Sequence, residues 1–343
     1  MARILVTGIS GFIAKHVALQ LLQGGHDVIG TVRSVEKGEQ VRQTLARHGA
    51  DVSKLQFVEA DLTSDDGWAE AVASCDYVQH LASPFPLAQP EDREALVPAA
   101  REGLLRVVSA ALAANVERIV VTSSLAAVMY HPKFKGVFEA GPDDWSDPDW
   151  KAISPYIVSK TRAELALWEM LDARGARDKA TVINPGLVLG PSLDERIGTS
   201  LSVVEMLLKG AYPALPPLAF PTVDVRDLAA LHIAAMDSPN TGGLRLLAGA
   251  DTLSMKEIAL VLKEAFPAFA KKIPTKEMPA WLVRFLANFD KTLKSISADL
   301  GRRRIAKTAY VTEKTGIAFR PAKEAVEAAA ESLIAYGIVA PPN

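Results

Sequence analysis

Short apolar runs alternate with stretches of helical spacing through the first half of the chain. Ile4-Leu5-Val6 is three branched apolar residues in a row, the pattern of a strand buried on both faces. Asp27–Val32, Gln56–Ala60, Tyr77–Leu81, Arg118–Thr122 and Ala180–Asn184 read the same way. Between them, Ile13–Gly24, Trp68–Ala73, Glu94–Asn115 and Val158–Arg174 carry helical patterns. Strand and helix in alternation predict an α/β fold, a doubly wound parallel sheet of Rossmann type with helices on both faces. Ligands in such sheets lie at the carboxyl ends of the strands, so functional residues are expected there.

The second half is more mixed. Leu201–Lys209, Leu228–Met236, Thr252–Phe266 and Pro279–Phe289 have helical apolar spacing, and Ala322–Tyr336 reads as a closing amphipathic helix. Residues 213–221 read as a proline-rich crossing, and Gly301-Arg302-Arg303-Arg304 as solvated surface. The segment between Tyr130 and Pro155, with Trp145, Trp150 and many Asp and Pro residues, reads as an irregular loop over a pocket. No repeat or low-complexity tract is visible.

Composition narrows the function classes. With 343 residues, 49% of them hydrophobic, the chain can bury a large core in one α/β domain or two joined ones. A net charge of −2 implies neither a nucleic acid nor an anionic membrane as partner. The single cysteine, Cys75, forbids an internal disulfide and reads as a small buried apolar residue. There is no basic-then-apolar leader, and no apolar run reaches the ~18 residues of a membrane span, so a cytoplasmic protein is expected. No metal site is expected.

The chemistry begins at Thr7-Gly8-Ile9-Ser10-Gly11-Phe12-Ile13-Ala14. Gly8 and Gly11 carry no Cβ to collide with a ligand, Ala14 lets the helix pack on the strand, and the helix N-terminus offers unpaired N–H groups to a pyrophosphate. At the end of the second strand stands Arg33, with no carboxylate before Glu36. An acid there suits the ribose of NAD, whereas an arginine suits the 2′-phosphate of NADP, so the reading is NADP(H), with Arg33 on the phosphate and Lys37 as helper. The predicted organisation is an NADP-binding Rossmann domain over 1–190, with 222–248 returning to it, and a smaller mixed α/β substrate lobe over 191–343.

Later strand ends extend the site. Asp61-Leu62 is expected beside the adenine, although Asp61 could instead cap the segment opening at Thr63. Leu81-Ala82-Ser83-Pro84 is expected to pass under the cofactor, with prolines at 84, 86 and 90 stiffening a loop in which Ser83 and Phe85 can line the pocket. His80 reads as a packed strand residue. Thr122-Ser123-Ser124 brings hydroxyls to the crevice, and the period of two means that only one of the two serines can face it. Tyr156 and Lys160, four apart on a helix, share one face, where an ammonium would lower a tyrosine pKa from its usual ~10 and make the phenol a general acid.

With these motifs the chain resembles the extended short-chain dehydrogenase/reductase family, and within it the dihydroflavonol reductase-like group with its aldehyde, ketone and methylglyoxal reductases. The further marks are Thr31-Val32-Arg33, Ala60-Asp61-Leu62, Pro185-Gly186-Leu187-Val188-Leu189-Gly190-Pro191 and Val223-Asp224-Val225-Arg226-Asp227-Leu228-Ala229. The resemblance implies a catalytic triad of Ser124, Tyr156 and Lys160, with Ser123 in a packing or cofactor-neighbour role. It also implies that Lys160 holds the nicotinamide ribose, that Pro185 and Val188 flank the nicotinamide, and that Ser200 and the turn residues Thr7, Ser10, Phe12 and Ile13 touch the cofactor. Met129 and Pro221 stand where plant flavonoid reductases place polar substrate contacts, so an apolar or aromatic carbonyl compound is expected rather than a polyhydroxylated flavonoid.

The expected function is therefore NADPH-dependent reduction of an aldehyde or ketone by hydride transfer, in a monomer or a homodimer. Three alternatives stay open: a hydroxysteroid or alcohol dehydrogenase, an NAD-dependent nucleotide-sugar epimerase or dehydratase, and an NADP-sensing regulatory protein.

Overall fold

Among the described residues, seven strands form one sheet in which every neighbour is parallel. These are β1 (Arg3–Thr7), β2 (Asp27–Val32), β3 (Leu55–Glu59), β4 (Tyr77–His80), β5 (Arg118–Thr122), β7 (Ala180–Pro185) and β10 (Arg245–Ala248). Their order is β10-β7-β5-β4-β1-β2-β3. Ile4 of β1 pairs with Val28 on one side and Tyr77 on the other, so the order reverses at β1 and opens a crevice between β1 and β4. The computed structural model describes residues 1–83, 90–289, 293 and 296–341.

Both faces of the sheet are covered, which is why its strands read as continuous apolar runs. On one face α1 (Phe12–Gln23), α2 (Val35–Arg47) and α7 (Val225–Asp237) pack on Ile4, Val6, Val28 and Ile183. On the other, α3 (Trp68–Val72), α4 (Val97–Ala113) and α5 (Pro155–Ala173) pack on Leu5, Val78, Ile119 and Val182. Each of these strand side chains is fully buried, and each such burial stabilises by ~1.5–3 kcal/mol. Cys75 lies in the second of these cores, where its Sγ reaches the Ala71 carbonyl at 3.2 Å and burial pushes the thiol up to about 11.

A separate core gathers α6 (Thr199–Lys209), α8 (Met255–Ala265) and α11 (Ala322–Ala335) around Leu207, Ile258, Val326 and Leu333. Beside it lie α9 (Ala280–Leu286) and a sheet of β8 (Leu187–Leu189), β9 (Ala219–Asp224) and β11 (Asp251–Ser254). Two expectations are corrected here. The stretch 252–266 opens as strand before it becomes helix, because Ser254 stops the strand and caps α8. Its Oγ accepts from the Glu257 N–H at 3.1 Å while Glu257 Oε2 accepts from the Ser254 N–H at 2.6 Å. The proline-rich crossing also ends as β9, where Pro221 pairs across to Thr252.

The largest departures concern the presumed loop and the basic run, which are partners. Within the loop lies β6 (Val137–Ala140), and within the basic run begins β12 (Arg303–Ala306); the two pair in parallel from Arg303↔Val137 to Ala306↔Ala140. After β12 comes α10 (Ala309–Thr315), whose Tyr310 hydroxyl donates to the Arg245 carbonyl at 2.7 Å. Arg304 is not solvated: it is 2% exposed, ion-paired with Asp299, and donates to the carbonyls of Met129 and Ala298, each at 3.2 Å. Its guanidinium also stacks 4.2 Å from the Tyr130 ring. Arg302 covers Trp150 in the same manner. Among the described residues, no helix is long and apolar enough to cross a membrane.

Removing the guanidinium of Arg304 strands the buried Asp299 carboxylate. Arg304→Ala is therefore expected to cost ~3–5 kcal/mol, against less than ~1 kcal/mol for Arg303→Ala, whose ion pair with Glu257 is part-exposed. Urea unfolding midpoints measure both; equal losses would contradict the burial assigned to Arg304.

Candidate active site

The turn from β1 into α1 is built for close approach. Gly8 has φ +61°, a conformation that disfavours any side chain, and an added Cβ would lie 3.0 Å from Ala82. The Gly11 N–H closes the turn on the Gly8 carbonyl at 2.9 Å. Gly11 caps α1 without a side-chain hydrogen bond, and the first turn of α1 holds no acidic residue, so the positive helix end faces outward uncompensated. Ser10 and Gly11 are exposed, Phe12 and Ile13 half-buried. These features fit a dinucleotide pyrophosphate.

Thr7 is a correction. It is fully buried, and its Oγ1 accepts from the N–H groups of Leu81 and Ala82, each at 3.0 Å. With both lone pairs used, its proton goes to His80 Nδ1, 3.0 Å away, which leaves the His80 proton on Nε2. Thr7 is thus a clamp between the ends of β1 and β4 rather than a ligand contact. Burial pushes His80 down to about 3, so it is a neutral packed residue.

At the far end of the crevice, Arg33 and Lys37 are exposed. Asp61 accepts from the N–H and Oγ1 of Thr63 at 2.8 and 2.7 Å, and these bonds, aided by the nearby Arg33 charge, hold its carboxyl below the ordinary value. It caps its own turn. Leu62 packs on Gly103 of α4.

The opposite end gathers the hydroxyls and the lysine. Pro155 opens α5, and Tyr156 and Lys160 follow one turn apart on the side of the helix that meets the turn after β5 and the loop after β4. Tyr156 lies against Ser124, close enough for the serine hydroxyl to favour its phenolate. Ser124 Oγ also accepts from the Ala126 N–H at 3.1 Å and donates to the Pro185 carbonyl at 3.5 Å. Ser123 turns the other way, into the core, where it donates to Glu164. Lys160 Nζ donates to Ser83 Oγ at 3.1 Å. Around Tyr156 the neighbours are apolar: Ala126, Ile153, Ile157 and Ala298, with Tyr130 and Trp150 alongside.

The electrostatics differ from expectation. Burial raises the Tyr156 phenol above its ordinary value, opposed by the Ser124 hydroxyl. Burial also lowers Lys160 to about 8, opposed by the charge of Glu164. Withdrawing both groups from water favours the neutral form of each, so the phenol is raised rather than acidified as the spacing from Lys160 led one to expect.

The remaining expected residues divide. Pro185 ends β7 beside Ser124, Val188 is 5% exposed within β8, and Ser200 lies half-buried in the first turn of α6, beside Phe12 through Gly198. Met129 is a correction: 1% exposed, it packs with Leu125, Val128, Ala140 and Leu247 and offers a substrate no surface. Pro221 likewise is buried within β9, against Gly249. Phe85 and the prolines at 84 and 86 lie outside the described residues.

Three residues were missed. Glu164, 1% exposed, accepts from Ser123, from Asn184 Nδ2 at 2.7 Å and from Arg245 Nε at 2.6 Å. Asn184 Nδ2 in turn donates to the Ser124 carbonyl at 3.1 Å. Spacing alone could have shown Glu164, which follows Lys160 by one turn on the same face.

The NAD dependent epimerase/dehydratase family matches residues 4–246. The chain belongs to this family. Within these extended short-chain dehydrogenases/reductases it falls in the dihydroflavonol reductase-like aldehyde and ketone reductase group. Cinnamoyl-CoA reductase 1 of Arabidopsis thaliana is 34% identical over 273 residues, 79% of this chain and 76% of the relative. Ketoreductase azaE of Aspergillus niger is 29% identical over 306 residues, 84% and 90% of the two chains. The crystal structure of the yeast methylglyoxal/isovaleraldehyde reductase complexed with NADPH superposes with a TM-score of 0.81 at 25% identity, covering 98% of this chain and 100% of that one.

Phenolate absorbance of the ligand-free protein tests the state assigned to Tyr156. Wild type and Tyr156→Phe are expected to give the same titration curve below about pH 10, since the phenol lies above that value. A difference appearing near neutral pH would contradict it.

Proposed function

We propose that the protein reduces an aldehyde or ketone carbonyl to the alcohol with NADPH, and that Ser124, Tyr156 and Lys160 are its catalytic residues. The observation that carries this reading is the convergence of Ser124, Tyr156 and Lys160 at the carboxyl edge of the sheet, with the Tyr156 phenol against Ser124 and Lys160 one helical turn away, its Nζ 3.1 Å from Ser83 Oγ. The reductases among the relatives and the NADPH bound by the yeast neighbour support it.

Bound NADPH supplies a hydride to the carbonyl carbon. The chain supplies the rest. Gly8, Gly11 and the N-terminus of α1 cradle the pyrophosphate, and Arg33 pairs with the 2′-phosphate. Ser124 donates a hydrogen bond to the carbonyl oxygen, where negative charge develops, and Tyr156 delivers the proton to that oxygen. Lys160, as an ammonium, stabilises the phenolate left on Tyr156. The apolar side chains around Tyr156 suit an apolar or aromatic carbonyl compound. Leu125, Ala126 and Ala127 beside Ser124 are buried and apolar, so they offer no carboxylate for the acid–base steps of a dehydratase.

Tyr156→Phe is expected to lower kcat at least ~10²-fold against a panel of aldehydes, diketones and aromatic ketones, while NADPH still quenches protein fluorescence with unchanged affinity. Retained turnover would overturn the role of the phenol, and absence of any turnover in wild type would favour a sensor. Arg33→Ala is expected to raise KM for NADPH ~10–100-fold and leave that for NADH unmoved, the loss of one charge-assisted pair. Because Lys160 acts as an ammonium and burial lowers it to about 8, kcat/KM is expected to fall as pH rises through about 8. A plateau extending to pH 10 would contradict that requirement.

A further inference from the structure

Glu164 is a charged group beneath the site that the proposed chemistry does not use. It sits one turn beyond Lys160 on α5 and is 1% exposed, so its presence in the core needs a reason. Its carboxylate joins three strands. Oε2 accepts from Ser123, which follows β5, and from Asn184 Nδ2 of β7 at 2.7 Å; Oε1 accepts from Arg245 Nε of β10 at 2.6 Å. Arg245 is itself anchored, donating to the carbonyls of Pro142 and Asp144 at 2.8 and 2.6 Å and lying 3.7 Å from the Trp145 ring. Asn184 passes the constraint on, because the same Nδ2 that meets Glu164 donates to the Ser124 carbonyl at 3.1 Å.

Glu164 also faces the lysine. Ser83, Thr122, Ser123, His80, Lys160 and Glu164 line one cavity with room for about one water molecule. Of the titratable groups around the ammonium, Tyr156 and Glu164 come from its own helix and His80 from β4. The two apart from Glu164 are neutral: burial keeps the proton on the phenol of Tyr156 and off the imidazole of His80. Glu164 is thus the anion that opposes the desolvation of Lys160.

We propose that Glu164 is a positioning residue whose buried carboxylate holds Lys160 in its ammonium form and, through Ser123 and Asn184, fixes Ser124 in the crevice. The proposal rests on the roles assigned above to Ser124 and Lys160. Its test therefore reads Lys160 directly as well as through turnover.

The ε-amine of Lys160 is titrated by trace acylation across pH, followed by peptide mass spectrometry, in ligand-free wild type, Glu164→Gln and Glu164→Asp. The alkaline limb of kcat/KM is measured alongside. Glu164→Gln is expected to move the Lys160 labelling midpoint down from about 8 by roughly half a pH unit or more, and the alkaline limb with it, while Glu164→Asp keeps both near wild type. If Glu164→Gln fails to fold because Arg245 is left unpaired, Glu164→Gln/Arg245→Gln, which leaves no orphan charge, carries the same measurement with the same direction of shift. An unmoved midpoint in a folded charge-neutral variant overturns the proposal. A shifted midpoint with an unmoved alkaline limb upholds the role of Glu164 and overturns instead the catalytic role of Lys160.

Discussion

All seven strands of the main sheet run in one direction, and that constraint decides where everything else lies. Parallel strands deliver their carboxyl ends to a single edge, and each return helix begins near that edge with its N–H groups unsatisfied. At β1 the order of neighbours reverses, so the loops after β1 and β4 diverge and leave a crevice. The Thr7 hydroxyl pins the two strand ends together below that opening by holding Leu81, Ala82 and His80 at once. The glycine turn above it lies open on one side and packed on the other.

Two buried ion pairs near the crevice are each held by several partners at once. Glu164 meets Ser123 after β5, Asn184 of β7 and Arg245 of β10, and Arg304 meets Asp299, two carbonyls and the face of Tyr130. Such pairs contribute little net stability over an apolar core of the same volume, but losing one partner is costly. What they supply is register. The first ties α5, and with it Tyr156 and Lys160, to the strands that carry Ser124. The second ties the pairing of β6 with β12 to Ala298, a neighbour of Tyr156 in the same apolar cluster. The end of the crevice that holds Ser124, Tyr156 and Lys160 is thus tied to both ion pairs.

The Rossmann core was legible because its order is local. Buried parallel strands leave continuous apolar runs, and the glycine turn, the paired serines and the spacing of Tyr156 with Lys160 each lie within a few residues. What stayed hidden was non-local. Val137–Ala140 is too short and too polar in its flanks to read as a strand, and its partner lies beyond residue 300. Arg304 looks like its exposed neighbours until Asp299 and Tyr130 are brought to it. Met129 occupies a position aligned with a substrate contact, yet the backbone after Ser124 turns its side chain into the core. The expected acidification of Tyr156 followed from spacing, whereas its direction is set by how much water reaches the helix face, which spacing does not encode.

The central claim is that this edge of the sheet brings a reduced nicotinamide to a carbonyl group. Turnover with NADPH carrying deuterium at both positions of nicotinamide C4 tests it most directly, read by mass spectrometry and NMR of the alcohol formed. One deuterium on the former carbonyl carbon is the result predicted. An alcohol free of the label, or NADPH consumed with no alcohol formed, would contradict the account.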